Sequence, residues 1–317
     1  MTNIGLILFY DGKEGKKGDL IKRILNVLRS FFSTKLSDDA VKKAELYDGF
    51  NVFTVRLPYK ASELERPGRF KIRRLKKIIK RLCLDYSIEK CYFPHCAPDK
   101  LDIDFCVKDP FFGRFLYKAL LVNILKLISE KKGKDIRELD VAIIHGNDYT
   151  FLHSYIKILS SILKFLTIIT HEKESIENMT DNIFEETGLA VRVTDNLAGG
   201  MKDAEAVINL ADLGDFDIPG KMKFNEPVVN YGSINTDKIK FTDIINSVDV
   251  ILPGKFEEKL GKDVYKFYKR IELAEIILLN RLEIGTCTIN NNLDYAVLEK
   301  LARQFERDGF GFIPVIS

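Results

Sequence analysis

Short apolar runs, each cut off by glycine or proline, recur along this 317-residue chain between stretches of helical periodicity. That alternation constrains the fold more than any other feature. A strand buried on both faces reads as a continuous apolar run, and strands alternating with amphipathic helices build parallel sheets covered by helices. Ile4 to Tyr10, ended by Asp11-Gly12, is the first such run, and Leu20, Ile24, Val27, Leu28 and Phe31 then recur at helical spacing. Phe50 to Leu57, closed by Pro58, is the second strand, and Cys91-Tyr92-Phe93, stopped by Pro94, is the third. Between them Ile72, Leu75, Ile78, Ile79 and Leu82 mark the apolar stripe of another helix.

The pattern continues in the second half. Phe111 to Lys132 runs as one helical stretch up to Gly133 and is read as the link between two domains. Asp140 to Gly146 is an apolar strand ending in glycine, followed by a helix from about Phe151 to Lys164 and a strand from Phe165 to Thr170. Glu174 to Thr187 reads as a helix stopped by Gly188. Further strands are read at Leu189 to Val193, Ala206 to Leu210, Val228 to Tyr231 and Val248 to Leu252, and closing helices at Glu257 to Leu282 and Leu293 to Asp308. At roughly 150 residues per domain the length suggests two. The expectation is therefore an α/β protein of two parallel-sheet αβα domains, the second a degenerate Rossmann-type doubly wound sheet. Residues 1–118 would form the first, with 285–317 packing back on it, and residues 119–284 the second.

Three segments carry a family resemblance: the strand that ends in Gly146, Glu185-Glu186-Thr187-Gly188-Leu189-Ala190-Val191, and Asp203-Ala204-Glu205-Ala206-Val207-Ile208-Asn209-Leu210. Over about Asp140 to Leu252 the layout resembles the Rossmann domain of shikimate-dehydrogenase-like proteins, including predicted amino-acid dehydrogenases and acyl-carrier-protein reductases. The resemblance implies an NAD- or NADP-dependent oxidoreductase with a small-molecule ligand in the interdomain cleft. It implies that Gly146, Asn147, Asp148, Thr150, His171, Glu172 and Asn209 line the nucleotide side, and that Asn230, Tyr231 and Gly232 face the nicotinamide. The glycine fingerprint departs from the family pattern. Its second glycine lets backbone approach the pyrophosphate and its third allows close helix–strand packing, yet Asp148 and Phe151 stand at those positions. The alternative is a noncatalytic Rossmann scaffold that binds or regulates without a dinucleotide.

His145, His153 and His171 fall near strand tips, where a titratable imidazole serves as acid or base, or simply bonds a loop. His95 and Cys96, in Pro94-His95-Cys96-Ala97-Pro98, are further catalytic candidates, with Cys96 as a thiol nucleophile beside an imidazole. Cys83, Cys91, Cys96 and Cys106 form a second possibility, a metal centre, but their spacing contains no CxxC pair. Buried thiols of a hydrophobic core account for the same residues. Asp99, Asp102, Asp104 and Asp109 follow closely, and Asp102 and Asp104 alternate with Leu101, Ile103 and Phe105, which reads as a strand with one solvated face.

Lysine and arginine number 49 against 46 acids, so the chain is not globally polyanion-seeking. Nine of those cations nevertheless fall between Arg66 and Arg81 without one acid, on a helix whose far side is the apolar stripe. Such a face holds nucleic acid or an acidic partner, or is simply solvated over the sheet. Only Phe70 is nearby for base stacking, which favours solvation. No run of about 18 apolar residues offers a membrane span, and the start lacks the pattern of a signal peptide. With an odd number of cysteines, five, a reducing cytoplasm is the expected compartment.

Overall fold

A computed structural model describes residues 1–10, 40–97, 103, 106–107, 112–146, 149–218, 220–234, 237–285 and 295–317. The Asp11-Gly12 turn, the helix expected around Leu20 to Phe31, the aspartates 99, 102, 104 and 109 with Leu101 and Phe105, Pro98, Asn147 and Asp148 lie outside the described residues. The chain divides into two compact units, residues 1–112 with 252–283 and residues 113–251 with 284–317.

The first unit opens with β1 (Thr2–Leu8), buried along almost its whole length. β2 (Val41–Tyr47) and β3 (Phe50–Arg56) form a hairpin around Asp48-Gly49, with Gly49 at φ +70°. An Asp-Gly pair suits such a two-residue turn because the turn needs positive φ. Helix α1 (Arg69–Asp85) follows, then the short strands β4 (Lys90–Tyr92) and β5 (Cys106–Val107). Leu75, Ile78, Ile79 and Leu82 of α1 are buried against Ile7, Phe53 and Val55, while Arg73, Lys77, Lys80 and Arg81 face solvent. Each such apolar side chain contributes about 1.5–3 kcal/mol by leaving water. The sheet order is β2-β3-β1-β4-β5, parallel apart from β2, which runs antiparallel to β3. The antiparallel edge strand departs from the expected all-parallel sheet. Its polar residues, Lys42, Lys43 and Glu45, break the apolar run that marked the others.

In the second unit the helical stretch expected as one piece is two helices, α2 (Arg114–Ala119) and α3 (Leu121–Lys131), separated at Leu120. Strand β6 (Val141–Ile144) is wholly buried and leads into α4 (Tyr149–Ser160), β7 (Phe165–Ile169), α5 (Lys173–Thr187), β8 (Ala190–Thr194), α6 (Leu197–Met201) and β9 (Ala206–Asn209). Gly188 caps α5 at φ +73°, a left-handed position that favours glycine. The strands β10 (Met222–Phe224), β11 (Val228–Asn230), β12 (Ile239–Phe241) and β13 (Ile244–Ile251) follow. β10 and β12 form a separate parallel ribbon.

The chain then returns to the first unit with α7 (Gly254–Leu260) and α8 (Arg270–Arg281). Gly261, at φ +77°, terminates α7, so the long helix expected from Glu257 to Leu282 is interrupted. Helix α9 (Tyr295–Arg307) and strand β14 (Gly311–Ile316) end the chain in the second unit. This differs from the expected return of residues 285–317 to the first unit. β14 adds antiparallel to β13 by backbone pairing, and α9 packs on α2 and α4. The completed sheet is ordered β14-β13-β11-β9-β6-β7-β8. Counting its parallel strands along the chain gives 3-2-1-4-5-6, the Rossmann order, with β14 as an antiparallel edge. Among the described residues no helix is long and apolar enough to cross a membrane.

Candidate functional site

A doubly wound sheet holds ligands beyond the carboxyl ends of its strands, where successive crossovers leave in opposite directions. In the second unit that point lies between β6 and β9. His145, just past β6, is buried, donates its backbone N–H to the Ile169 carbonyl at 2.9 Å, and sets its ring edge-on to Tyr149 at 5.1 Å. Gly146 follows. A Cβ there would stand 3.2 Å from the Ala211 Cα, so the loops after β6 and β9 approach too closely for an easy side chain. Tyr149 and Thr150 begin α4.

Past β7, the Thr170 hydroxyl accepts the Glu172 N–H at 3.1 Å, which folds the chain into a tight turn. His171 is exposed and stacks on Phe216, ring centres 4.3 Å apart. Glu172 accepts a hydrogen bond from the Tyr149 hydroxyl. A carboxylate just beyond the second strand of a Rossmann sheet stands where the ribose hydroxyls of a dinucleotide are held.

Asn209 ends β9 and Asn230 ends β11, and the two are in register. Asn246 of β13 takes the next place in that row. Asn209 Nδ2 donates to Asn230 Oδ1 at 2.8 Å, Asn230 Nδ2 to Asn246 Oδ1 at 2.7 Å, and Asn246 Nδ2 to Ser317 Oγ at 2.8 Å. Asn209 Oδ1 accepts the Ala211 N–H at 3.2 Å, which fixes the orientation of the whole row. The backbone N–H groups of Tyr231 and Gly232 both donate to the Asn209 carbonyl, at 2.8 and 3.0 Å. At Gly232 a Cβ would lie 2.1 Å from the Ala211 oxygen, so no side chain fits.

The Tyr231 ring sits 4.7 Å from Tyr117 and 5.6 Å from Tyr155, centre to centre. Burial pushes all three phenols above their ordinary range. Gly146, His171, Glu172, Tyr231 and Gly232 thus stand past the carboxyl ends of adjacent strands, and Asn209 at the end of one. Tyr149 and Asn246 were not singled out from the sequence. The row of asparagines depends on register between strands some 20 residues apart, which spacing along the chain does not reveal.

The other catalytic candidates belong to the first unit. His95 follows β4 with its Nδ1 3.4 Å from the carboxylate of Glu272, which is buried on α8 and also accepts the Lys269 N–H at 2.9 Å. Cys96 is exposed. His95 and Cys96 therefore lie in one unit and His171 in the other. Cys83 Sγ is 3.8 Å from Cys91 Sγ, and Cys91 pairs in register with Cys106. The Cys83 thiol is pushed up chiefly by its hydrogen bond to Cys91, and the Cys91 thiol chiefly by its bond to Cys106. Among the described residues no three or more His, Cys, Asp or Glu side chains are placed to hold a metal ion. Cys91, with Cys83 and Cys106 packed beside it, belongs to the hydrophobic core of the first unit, and Cys96 is exposed.

The strand order defines the class, an α/β protein whose second unit is a Rossmann-type doubly wound sheet. No family model and no curated protein matches the chain. Solved structures give loose likenesses. The 5-ketofructose reductase of Gluconobacter sp. strain CHM43 is 11% identical over 96% of this chain and 98% of its own, with a TM-score of 0.28. Shikimate 5-dehydrogenase from Listeria monocytogenes, solved with shikimate and NAD, is 10% identical over 87% and 96%, with a TM-score of 0.29. The Δ1-pyrroline-2-carboxylate reductase of Thermococcus litoralis, solved with NADH and L-proline, is 6% identical at a TM-score of 0.28. That match covers 46% of this chain and 44% of the reductase. At these values none of the three bears on activity, and the fold assignment rests on strand order alone.

Proposed function

We propose that the second unit binds a nicotinamide dinucleotide, NAD(H) in preference to NADP(H), and that the protein is of the NAD-linked oxidoreductase type. The observation that carries this reading is Glu172, a carboxylate three residues beyond β7 in a sheet of Rossmann order. A carboxylate there accepts hydrogen bonds from the ribose diol and repels a 2′-phosphate, hence the preference. Gly146 supplies the close approach of the first turn.

The residues fit the nucleoside half of the cofactor better than its pyrophosphate. Asp148 occupies the second glycine position, and its charge opposes a diphosphate. Phe151 occupies the third and carries Lys118 Nζ 3.6 Å above its ring. The bound cofactor would supply hydride chemistry. This chain's own residues are assigned only to its binding.

A second reading, a Rossmann scaffold that works without a dinucleotide, is favoured by the Tyr149–Glu172 hydrogen bond, which already engages the ribose-binding carboxylate. Titration with NADH, NADPH and ADP-ribose, followed by calorimetry and thermal stability, separates the two. A ligand that binds only the folded state must raise the melting temperature. Saturable NADH binding that weakens in Glu172→Gln supports the first reading; no response at millimolar ligand leaves the second.

A further inference from the structure

The first unit holds a cavity that plays no part in the nucleotide reading. It has a volume of about 280 Å³ and opens beside Leu8 and Arg56, the carboxyl-terminal residues of the parallel strands β1 and β3. Lys42 of β2 lies directly across from Thr54 of β3, and both line it. The segment from Glu258 to Val264, at the end of α7, forms the opposite wall. The cavity therefore lies beside the carboxyl ends of β1 and β3, on the side of the edge strand β2.

Its lining is charged in one sense. Lys42, Arg56, Lys259 and Lys262 contribute four cations against the two carboxylates of Glu258 and Asp263, an excess of two positive charges. One of those acids is already matched from outside the cavity, since Asp263 pairs with Lys266 at 2.8 Å as well as with Arg56 at 2.5 Å. These cations hold the Asp263 carboxyl below the usual carboxylate range, Lys266 foremost. Arginine offers a planar fork that fits carboxylate and phosphate oxygens, and lysines add point charge. At about 30 Å³ per water-sized group the volume admits a molecule of roughly ten non-hydrogen atoms.

We propose that this cavity binds a small organic dianion, a phosphate monoester or a dicarboxylate. Two negative charges match the excess of the lining, and the size excludes a whole dinucleotide. The ligand enters from solvent past the exposed side chains of Lys42 and Lys262.

Calorimetric titration of the full chain at low ionic strength with glycerol 3-phosphate, succinate and inorganic phosphate tests this. Saturable one-to-one binding of glycerol 3-phosphate or succinate is expected, at least about tenfold weaker in the double variant Lys42→Gln, Lys262→Gln. Tighter binding of the ester identifies the phosphate class, and tighter binding of succinate the dicarboxylate class. Both substituted lysines are exposed, and Lys262→Glu alone provides a second variant should the double one fold poorly. No saturable binding of either organic probe at about 10 mM, or binding unchanged in a folded variant, overturns the proposal. These variants leave Glu172 intact, so NADH titration on the same proteins distinguishes failure here from failure of the nucleotide reading.

Discussion

The hydroxyl of Tyr149, at the first residue of α4, donates to the carboxylate of Glu172, just beyond β7. The bond ties the start of the first crossover helix to the turn after the second strand, across the place where a Rossmann sheet receives a ribose. Tyr149→Phe removes this competitor for the carboxylate. Since a net hydrogen bond is worth about 1 kcal/mol, NADH should bind roughly fivefold more tightly to the variant. Tyr149 is 39% exposed, so the melting temperature should change little. Calorimetry on both proteins checks this, and weaker binding in the variant would contradict the role given to Glu172.

Gly232 is required for steric reasons. Its Cβ would fall 2.1 Å from the Ala211 oxygen, and that oxygen is backbone, which cannot swing aside. Gly232→Ala should cost about 1–3 kcal/mol, as overpacked sites do, and is measured as a lower urea midpoint at unchanged slope. Wild-type stability in the variant would mean that the loops after β9 and β11 separate readily.

Asn209 carries the end of the amide row. Asn209→Ala leaves the Asn230 oxygen and the Ala211 N–H without their partners, at about 1–3 kcal/mol for a buried unsatisfied group. Asn209→Asp keeps the acceptor for Ala211 but loses the donor to Asn230, so it should recover only part of the loss. Equilibrium unfolding of the two variants tests that ranking.

The first unit should lose stability in alkali. Burial pushes the Tyr92 phenol up to about 12 from 10, although its hydrogen bond with Asn280 acts in the opposite sense. Because the folded phenol keeps its proton longer than the unfolded one, its contribution is complete below pH 10 and is lost between pH 10 and about 12. The change is on the order of 2–3 kcal/mol. Tyr92→Phe should flatten the stability profile across that window, and an unchanged slope in chemical denaturation at several pH values would count against this.

Thiol reactivity should separate the described cysteines. Cys96 is exposed, whereas Cys83 and Cys91 share a hydrogen bond and are held protonated. At neutral pH iodoacetamide should label Cys96 well before either of them, because thiolates rather than thiols react. Mass spectrometry of a short labelling course reads the order directly.

Most of the strands were legible because burial on both faces writes itself as an unbroken apolar run, as in Val141–Ile144 and Ala206–Asn209. β2 was not, since an edge strand with a solvated side keeps lysines and a glutamate, even though Asp48-Gly49 marks its hairpin. The break at Leu120 was equally hidden, because leucine carries no punctuation. The candidate nucleotide residues are named from the family resemblance, laid on strands read from the sequence. Their partners cannot be: Tyr149 reaches Glu172, and Asn230 reaches Asn209 and Asn246, across register that only folding sets.

The amino-acid sequence by itself determined an α/β chain with two main parallel sheets, because periodicity and burial are local consequences of side-chain type. Tertiary structure alone decided where the chain ends belong. Residues 252–283 return to the first unit and β14 completes the second, since strand addition and helix docking depend on which surfaces remain uncovered. It decided the cationic cavity as well. Lys42, Arg56 and Lys262 are ordinary surface residues in the sequence, and their charges act together only because a hairpin, a strand end and a distant loop meet.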